Sequence, residues 1–282
     1  MRFDGAIMVG VAGGTLDRIV LGWAAEEAAA RNADLLVCHV REQREPRPPY
    51  VGTSEPAASA EQLVRDAETT VRTWFPGLAV TTTTIGQDHV VPALARASLD
   101  ARMLVVSAHR DDGFAGVRLG SVAEQVGTNA YCPVVVVRPP SAPELADVVV
   151  GVDGSFHSAM TLRLAAAEAR RFGGRLIVVH AYRLPAPAEY GPNAGVDEPH
   201  HRAAAEGLVE RALDHLGPDR EALKIETRAT HDGAAAALLD AASTAAVLVV
   251  GARGHGGFER LRIGSVSQHV LRHAPCAVVV VR

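Results

Sequence analysis

The chain has 282 residues, 48% of them hydrophobic but only 4% aromatic, and a formal net charge of −4. That length suits about two domains, the core has to come from Val, Leu and Ala, and no Lys/Arg cluster offers a face for nucleic acid. No segment approaches the roughly 18 uninterrupted apolar residues of a membrane span, Met1-Arg-Phe-Asp-Gly is no secretory leader, and three cysteines make no disulfide framework, so a cytoplasmic protein without membrane contact is expected.

In chain order, the first half reads as strand Ile7–Val11, helix Leu16–Arg31, strand Leu35–Val40, a Pro-rich loop Arg41–Ala58 and helix Glu61–Thr73. Strand Val80–Ile85, helix Val91–Ser98, strand Met103–Val106 and strand Val134–Arg138 follow. After the Pro-rich linker 139–146, strand Asp147–Val152 ends in Asp153-Gly154-Ser155, and an Ala-rich helix runs from about Phe156 to Arg171, with Gly173-Gly174 as its stop. Next come strand Leu176–His180, loop Leu184–Pro199, helix His201–Leu216, strand Lys224–Ala229 and helix Ala234–Ser243. Strand Val247–Val250, a glycine-rich loop, a helix from about Val266 and strand Ala277–Arg282 complete the chain. Short continuous apolar runs alternating with helices predict an α/β fold of two tandem, doubly wound, Rossmann-like domains with parallel five-stranded sheets, over residues 1–138 and 147–282.

The two halves are copies. Leu104–Arg138 aligns with Leu248–Arg282 without a gap and is identical at 18 of 35 positions, and Val9–Val40 aligns likewise with Val150–Ala181. A period this long marks a duplicated domain rather than a solenoid repeat. Cys38 falls within a strand pattern, and Cys132 and Cys276 occupy matching places before each last strand, so all three are expected to be small core residues.

The stretch Gly251-Ala-Arg253-Gly254-His-Gly-Gly257-Phe-Glu-Arg-Leu-Arg-Ile-Gly264-Ser265 begins where a buried strand ends and finishes where a helix begins. Ligands of open parallel sheets bind outside those strand ends. Glycine lets backbone N–H groups approach a phosphate oxygen, and the helix start adds unpaired N–H groups and a positive dipole end. Gln268 stands three residues after Ser265, which is capping-box spacing, so the Ser265 hydroxyl serves either the cap or a phosphate. Asp153 has three roles open to it: accepting from ribose hydroxyls, holding a phosphate-bound divalent metal, or capping the next helix. The glycines are not a P-loop, since no Lys-Ser/Thr follows, and the first strand–helix turn lacks the dinucleotide fingerprint. His39 and His180 occupy matching strand ends and are expected to be satisfied near-core imidazoles.

The pattern Gly251-x2-Gly254-x9-Gly264-Ser265 resembles the nucleotide motif of the universal stress protein family, in its ATP-binding branch and tandem actinobacterial form. Val150-Gly-Val-Asp-Gly-Ser, Val179-His180-Ala181 and Ala274-Pro-Cys-Ala-Val-Val-Val-Val agree with it. The resemblance implies an adenine nucleotide alpha hydrolase-like fold, with Gly251, Gly254, Gly264, Ser265 and Ser267 around the phosphates; Arg253 brings a donor nearby, and Gly257 of the same loop is counted with the binding residues. It also implies adenine at the backbone of Ala181, and Asp153 toward ribose and a nucleotide-bound Mg2+. The cofactor implied is ATP with Mg2+. The partners implied are an adenine nucleotide, an unidentified protein and a second copy in a homodimer. The resemblance also implies a dimer-like interface between last strands, which here sets Val134–Arg138 and Val278–Arg282 to meet inside one chain and cover two sheet edges.

The first copy departs from the motif: Ser107 replaces Gly251, Arg110 replaces Gly254 and Ala12 replaces Asp153. Gly10, Val40, Gly120 and Ser121 remain as a second, weaker site, so one nucleotide per chain is expected. The function expected is an ATP-binding regulatory sensor in stress adaptation. A slow ATPase or nucleotidyl-transfer enzyme and a scaffold without nucleotide are the alternatives.

Overall fold

Among the described residues, eight of the ten strands are runs rich in Val, Leu, Ile and Ala, each long enough only for a strand and buried along most of its length. A computed structural model of the chain describes residues 5–42, 57–87, 89–108, 119–139, 145–184, 197–255 and 262–282. The chain divides into two units, Met1–Pro139 and Pro140–Arg282.

Unit 1 contains β1 (Ala6–Gly10), α1 (Asp17–Ala30), β2 (Leu35–Glu42), α2 (Ala57–Trp74), β3 (Val80–Gln87), α3 (Val90–Ala97), β4 (Ala101–Ser107), α4 (Ser121–Asn129) and β5 (Val134–Val137). Its strands are parallel, in the order β3-β2-β1-β4-β5. Unit 2 contains β6 (Val148–Gly151), α5 (Phe156–Phe172), β7 (Leu176–Ala181), α6 (Glu198–Leu213), a 3-10 turn Asp214–Arg220, β8 (Ile225–Thr230), α7 (Ala234–Ala242), β9 (Val247–Gly251), α8 (Ser265–His273) and β10 (Ala277–Val281). It repeats the order as β8-β7-β6-β9-β10, again parallel. The central strands are buried along their length, whereas β3 and β8 carry Thr81–Thr84 or Glu226 and Arg228 on half-exposed backbone, as outer strands do.

In unit 2 the chain leaves β6 toward β7 on one side and returns to β9 on the other. The order therefore reverses at β6, and the crevice at its carboxyl end is the switch point where such sheets bind ligands. The turn after β6 and the loop after β9 both open there.

Local chemistry explains the helix ends. Ser155 caps α5 by accepting from the Ser158 N–H at 3.3 Å, and Gly173 ends it in the left-handed region at φ 71°. The α6 helix starts at Glu198, earlier than the apolar pattern suggests, because Asp197 accepts from the His200 N–H at 3.1 Å and Pro199 suits the first turn. It ends as an α-helix at Leu213, and the expected last turn tightens into the 3-10 segment, with Gly217 at φ 55° ahead of Pro218.

Candidate functional site

The turn after β6 is built around one carboxylate. Asp153 Oδ1 accepts from the Ser158 hydroxyl at 2.6 Å and from the Ser155 N–H at 3.0 Å, while the Asp153 N–H donates to Ser158 Oγ at 3.0 Å. Its Oδ2 reaches across 102 residues of sequence to accept from the His255 N–H at 2.7 Å. Helix capping thus falls to Ser155, and Asp153 clasps the β6 turn to the loop after β9. Burial pushes the Asp153 carboxyl up, but the hydrogen bonds from Ser158, Ser155 and His255 together outweigh it and hold it below the usual carboxylate value. A full negative charge therefore stands at the crevice at neutral pH.

The glycines of the loop differ in why they are glycine. A Cβ on Gly254 would lie 2.2 Å from Asp153 Oδ2, so any side chain there would drive the carboxylate out. At Gly251 a Cβ would come within 3.1 Å of the Arg253 carbonyl and 3.3 Å of Thr161 Oγ1, which makes it a tight-turn position. At Gly264 the nearest atom is the Ala252 carbonyl at 3.6 Å, so the protein itself does not demand glycine; that clearance is what a ligand approaching the backbone needs. Gly264 is the N-cap of α8, extended at φ −78° and ψ 159°, and no side chain caps the helix. Ser265 is its first helical residue and is exposed, so the capping box suggested by Ser265 and Gln268 does not form. The first turn of α8 starts at the carboxyl end of the sheet, after the loop that follows β9.

Of the other residues singled out, Ser267 is buried and donates its hydroxyl to the Gly251 carbonyl at 2.6 Å, which ties α8 to the end of β9. Arg253 is exposed beside Gly254. Ala181 ends β7 next to the crevice, half-buried, and the Tyr182 N–H behind it donates to the Thr230 carbonyl at 2.9 Å. Gly257 lies outside the described residues. Ser158 and the His255 amide were not legible as partners. Only the position of Ser158, one helical turn past the cap, hinted at the first of them.

The Universal stress protein family model matches residues 5–138 and again 145–282. The chain belongs to the universal stress protein family. A universal stress protein of Mycobacterium tuberculosis is 30% identical over 304 residues, covering 98% of this chain and 94% of the relative. Another from the same organism is 31% identical over 300 residues, covering 100% and 98%. The crystal structure of a universal stress protein from Archaeoglobus fulgidus superposes with a TM-score of 0.71 at 17% identity, over 98% of both chains, and supports the fold.

Within this universal stress protein the first unit keeps much of the frame. The Gly120 N–H donates to the Ala108 carbonyl at 2.6 Å, as the Gly264 N–H does to Ala252 at 2.7 Å, and Gly120 caps α4 at φ −68° and ψ 149° with Ser121 as the first helical residue. Gly10 ends β1 with Val106 and Leu94 in ordinary contact range of a Cβ, and Val40 is buried in β2. Arg110 lies outside the described residues. Alignment gives the first unit no carboxylate at the crevice, because Ala12 replaces Asp153, but the structure corrects this. Asp17, at the place of Ser158, accepts from the Gly13 N–H at 2.8 Å and from the Ala12 N–H at 3.1 Å. The acidic group has moved from the strand end to the helix. Burial raises the Asp17 carboxyl above its usual value, against the hydrogen bonds from Gly13 and Ala12 and the charge of His39.

His39 and His180 do the same work in the two units of this stress protein. Each Nδ1 lies 2.8 Å from the carbonyl of Val11 or Val152, and because a carbonyl only accepts, each Nδ1 carries the proton. All three cysteines are buried, and burial pushes the Cys38 thiol up to about 12, as expected for core residues. Among the described residues no helix is long and apolar enough to cross a membrane.

Proposed function

We propose that unit 2 binds an adenine nucleotide, ATP with Mg2+, and that the protein is a cytoplasmic regulatory sensor which relays adenylate status to a protein partner during stress adaptation. The observation that carries this is the clasp between Asp153 and the loop after β9. A backbone amide of the glycine loop already donates to an anionic oxygen, and Gly254 has no room for a side chain. A loop that presents amides to one anion is suited to present them to phosphate. In this reading the backbones of Gly251, Gly254 and Gly264, the Ser265 hydroxyl and Arg253 surround the triphosphate, the Ala181 backbone meets adenine, and Asp153 serves ribose or Mg2+. Ser267 supports the loop through Gly251. Family membership supports the same reading. Nucleotide shifts the protein between states only by binding one of them better, and release of the Asp153–His255 hydrogen bond is the local difference that such binding exploits.

Isothermal titration of the full-length protein with Mg-ATP tests it. The expected result is saturable heat with Gly254→Ala weakening binding about tenfold or more, because its Cβ displaces the Asp153 carboxylate from the place where it would serve ribose or Mg2+, a loss about the size of one hydrogen bond to a charged group. A folded protein that gives no heat and no shift in melting temperature at millimolar ATP would overturn the reading.

A further inference from the structure

At the far end of α8 two histidines stand at i and i+4. His269 and His273 are both exposed, and their rings stack with centroids 4.3 Å apart and planes at 28°. The Nδ1 of His273 lies 2.8 Å from the His269 carbonyl, and since that oxygen only accepts, Nδ1 holds the proton and the Nε2 lone pair is left for another partner. This is the arrangement that metal-ligating histidines adopt, one ring nitrogen donating to a backbone carbonyl and the other turned to the metal. Two metal–nitrogen bonds of about 2.0–2.1 Å bridge at most about 4.2 Å, so chelation requires the stacked rings to turn until both Nε2 lone pairs point at one ion, a rotation open to exposed side chains one helical turn apart. His269 is the middle residue and His273 the last of a nine-residue helix, so His273 sits at the partial negative charge of its carboxyl end, which favours a cation.

The first copy supplies the contrast. Its counterparts are Gln125 and Asn129, and Asn129 Nδ2 donates to the Gln125 carbonyl at 2.8 Å. The same side-chain-to-carbonyl bond is kept in both copies, but only the second has imidazoles behind it. We propose that His269 and His273 form a surface chelating site for a divalent transition metal of the zinc, nickel or copper class, with water completing the coordination. Among the described residues no group of three or more His, Cys, Asp or Glu could hold a metal, so the site is a two-ligand one of moderate affinity. Imidazole nitrogen selects these ions, whereas Mg2+ prefers oxygen, so this site is separate from any nucleotide-borne cation.

Calorimetric titration of the untagged, chelator-stripped full-length protein with Zn2+, in the absence of nucleotide, is the test. One equivalent per chain is expected, with His269→Gln and His273→Asn each weakening it about tenfold or more by removing the chelate, and Mg2+ failing to compete. These substitutions install the residues the first copy already carries, so folding is preserved, and circular dichroism checks it. The paired variant His200→Gln, His201→Gln should bind Zn2+ as the parent does. Absence of Zn2+ binding by the parent, retention of the site in the His269 and His273 variants, or its loss in the His200, His201 pair would each overturn the proposal.

Discussion

Two aspartates at equivalent crevices carry opposite consequences for stability. Asp153 titrates below its ordinary value of 3.8 in the folded protein, so its ionised form favours the fold; that contribution is complete above the ordinary value and is lost as pH falls through the depressed one. Asp17 titrates above 3.8, so keeping it ionised costs stability, a cost absent below the ordinary value and complete above the raised one. Urea unfolding between about pH 3 and pH 7 checks both. Asp153→Asn should be less stable than the parent at neutral pH, with the deficit shrinking in acid. For Asp17→Asn the difference should move in the variant's favour as pH rises. Parallel curves for the two variants would contradict the assignment.

At the scale of elements, helices that pack closely on the sheet depend on small residues at their ends. A Cβ on Gly174 would meet the Ala146 carbonyl oxygen at 2.1 Å and the Asp147 nitrogen at 2.7 Å, both backbone atoms that have no rotamer to change. Gly174→Ala is therefore expected to destabilise unit 2 by about 1–3 kcal/mol. Gly233, the N-cap of α7, has nothing within 4 Å of a Cβ, and Gly233→Ala should stay within about 1 kcal/mol of the parent. Chemical denaturation midpoints separate the two. A buried glutamate on each sheet-packed helix, Glu27 in α1 and Glu168 in α5, lies beside an arginine one turn later, Arg31 or Arg171. Removing either arginine is expected to lower the denaturation midpoint, because it takes one partner from a buried charge.

For the whole molecule, duplication supplies two frames and divergence differentiates them. Unit 1 keeps the Gly120-Ser121 helix start but has Ser107 in place of Gly251, and its carboxylate is held on the Ala12 and Gly13 amides. A stoichiometry of one ATP per chain follows from the proposed site. Its linkage should raise unfolding free energy by about 2.7 kcal/mol at a ligand concentration one hundred times Kd. Two equivalents per chain would overturn the asymmetry and show that Ser107 and Ala12 leave the first unit able to hold nucleotide.

The sequence by itself determined the duplicated α/β plan, because strand and helix periods and the Gly, Ser and Pro punctuation are local properties that each copy repeats. It also determined the buried cysteines and the satisfied imidazoles at matching strand ends, since those positions lie in or beside buried strands; that each Nδ1 donates to the Val11 or Val152 carbonyl came from the structure. It did not determine the start of α6, because Asp197 as a cap lies outside the apolar pattern, nor which residue caps α8. Only tertiary structure decided that Asp153 holds the His255 amide, 102 residues further along the chain; the contacts of Asp17 with the Gly13 and Ala12 amides, four and five residues away, are local. The partner of Asp153 is chosen by which chain ends the parallel sheet brings to one crevice, a distance in space that no spacing along the chain encodes.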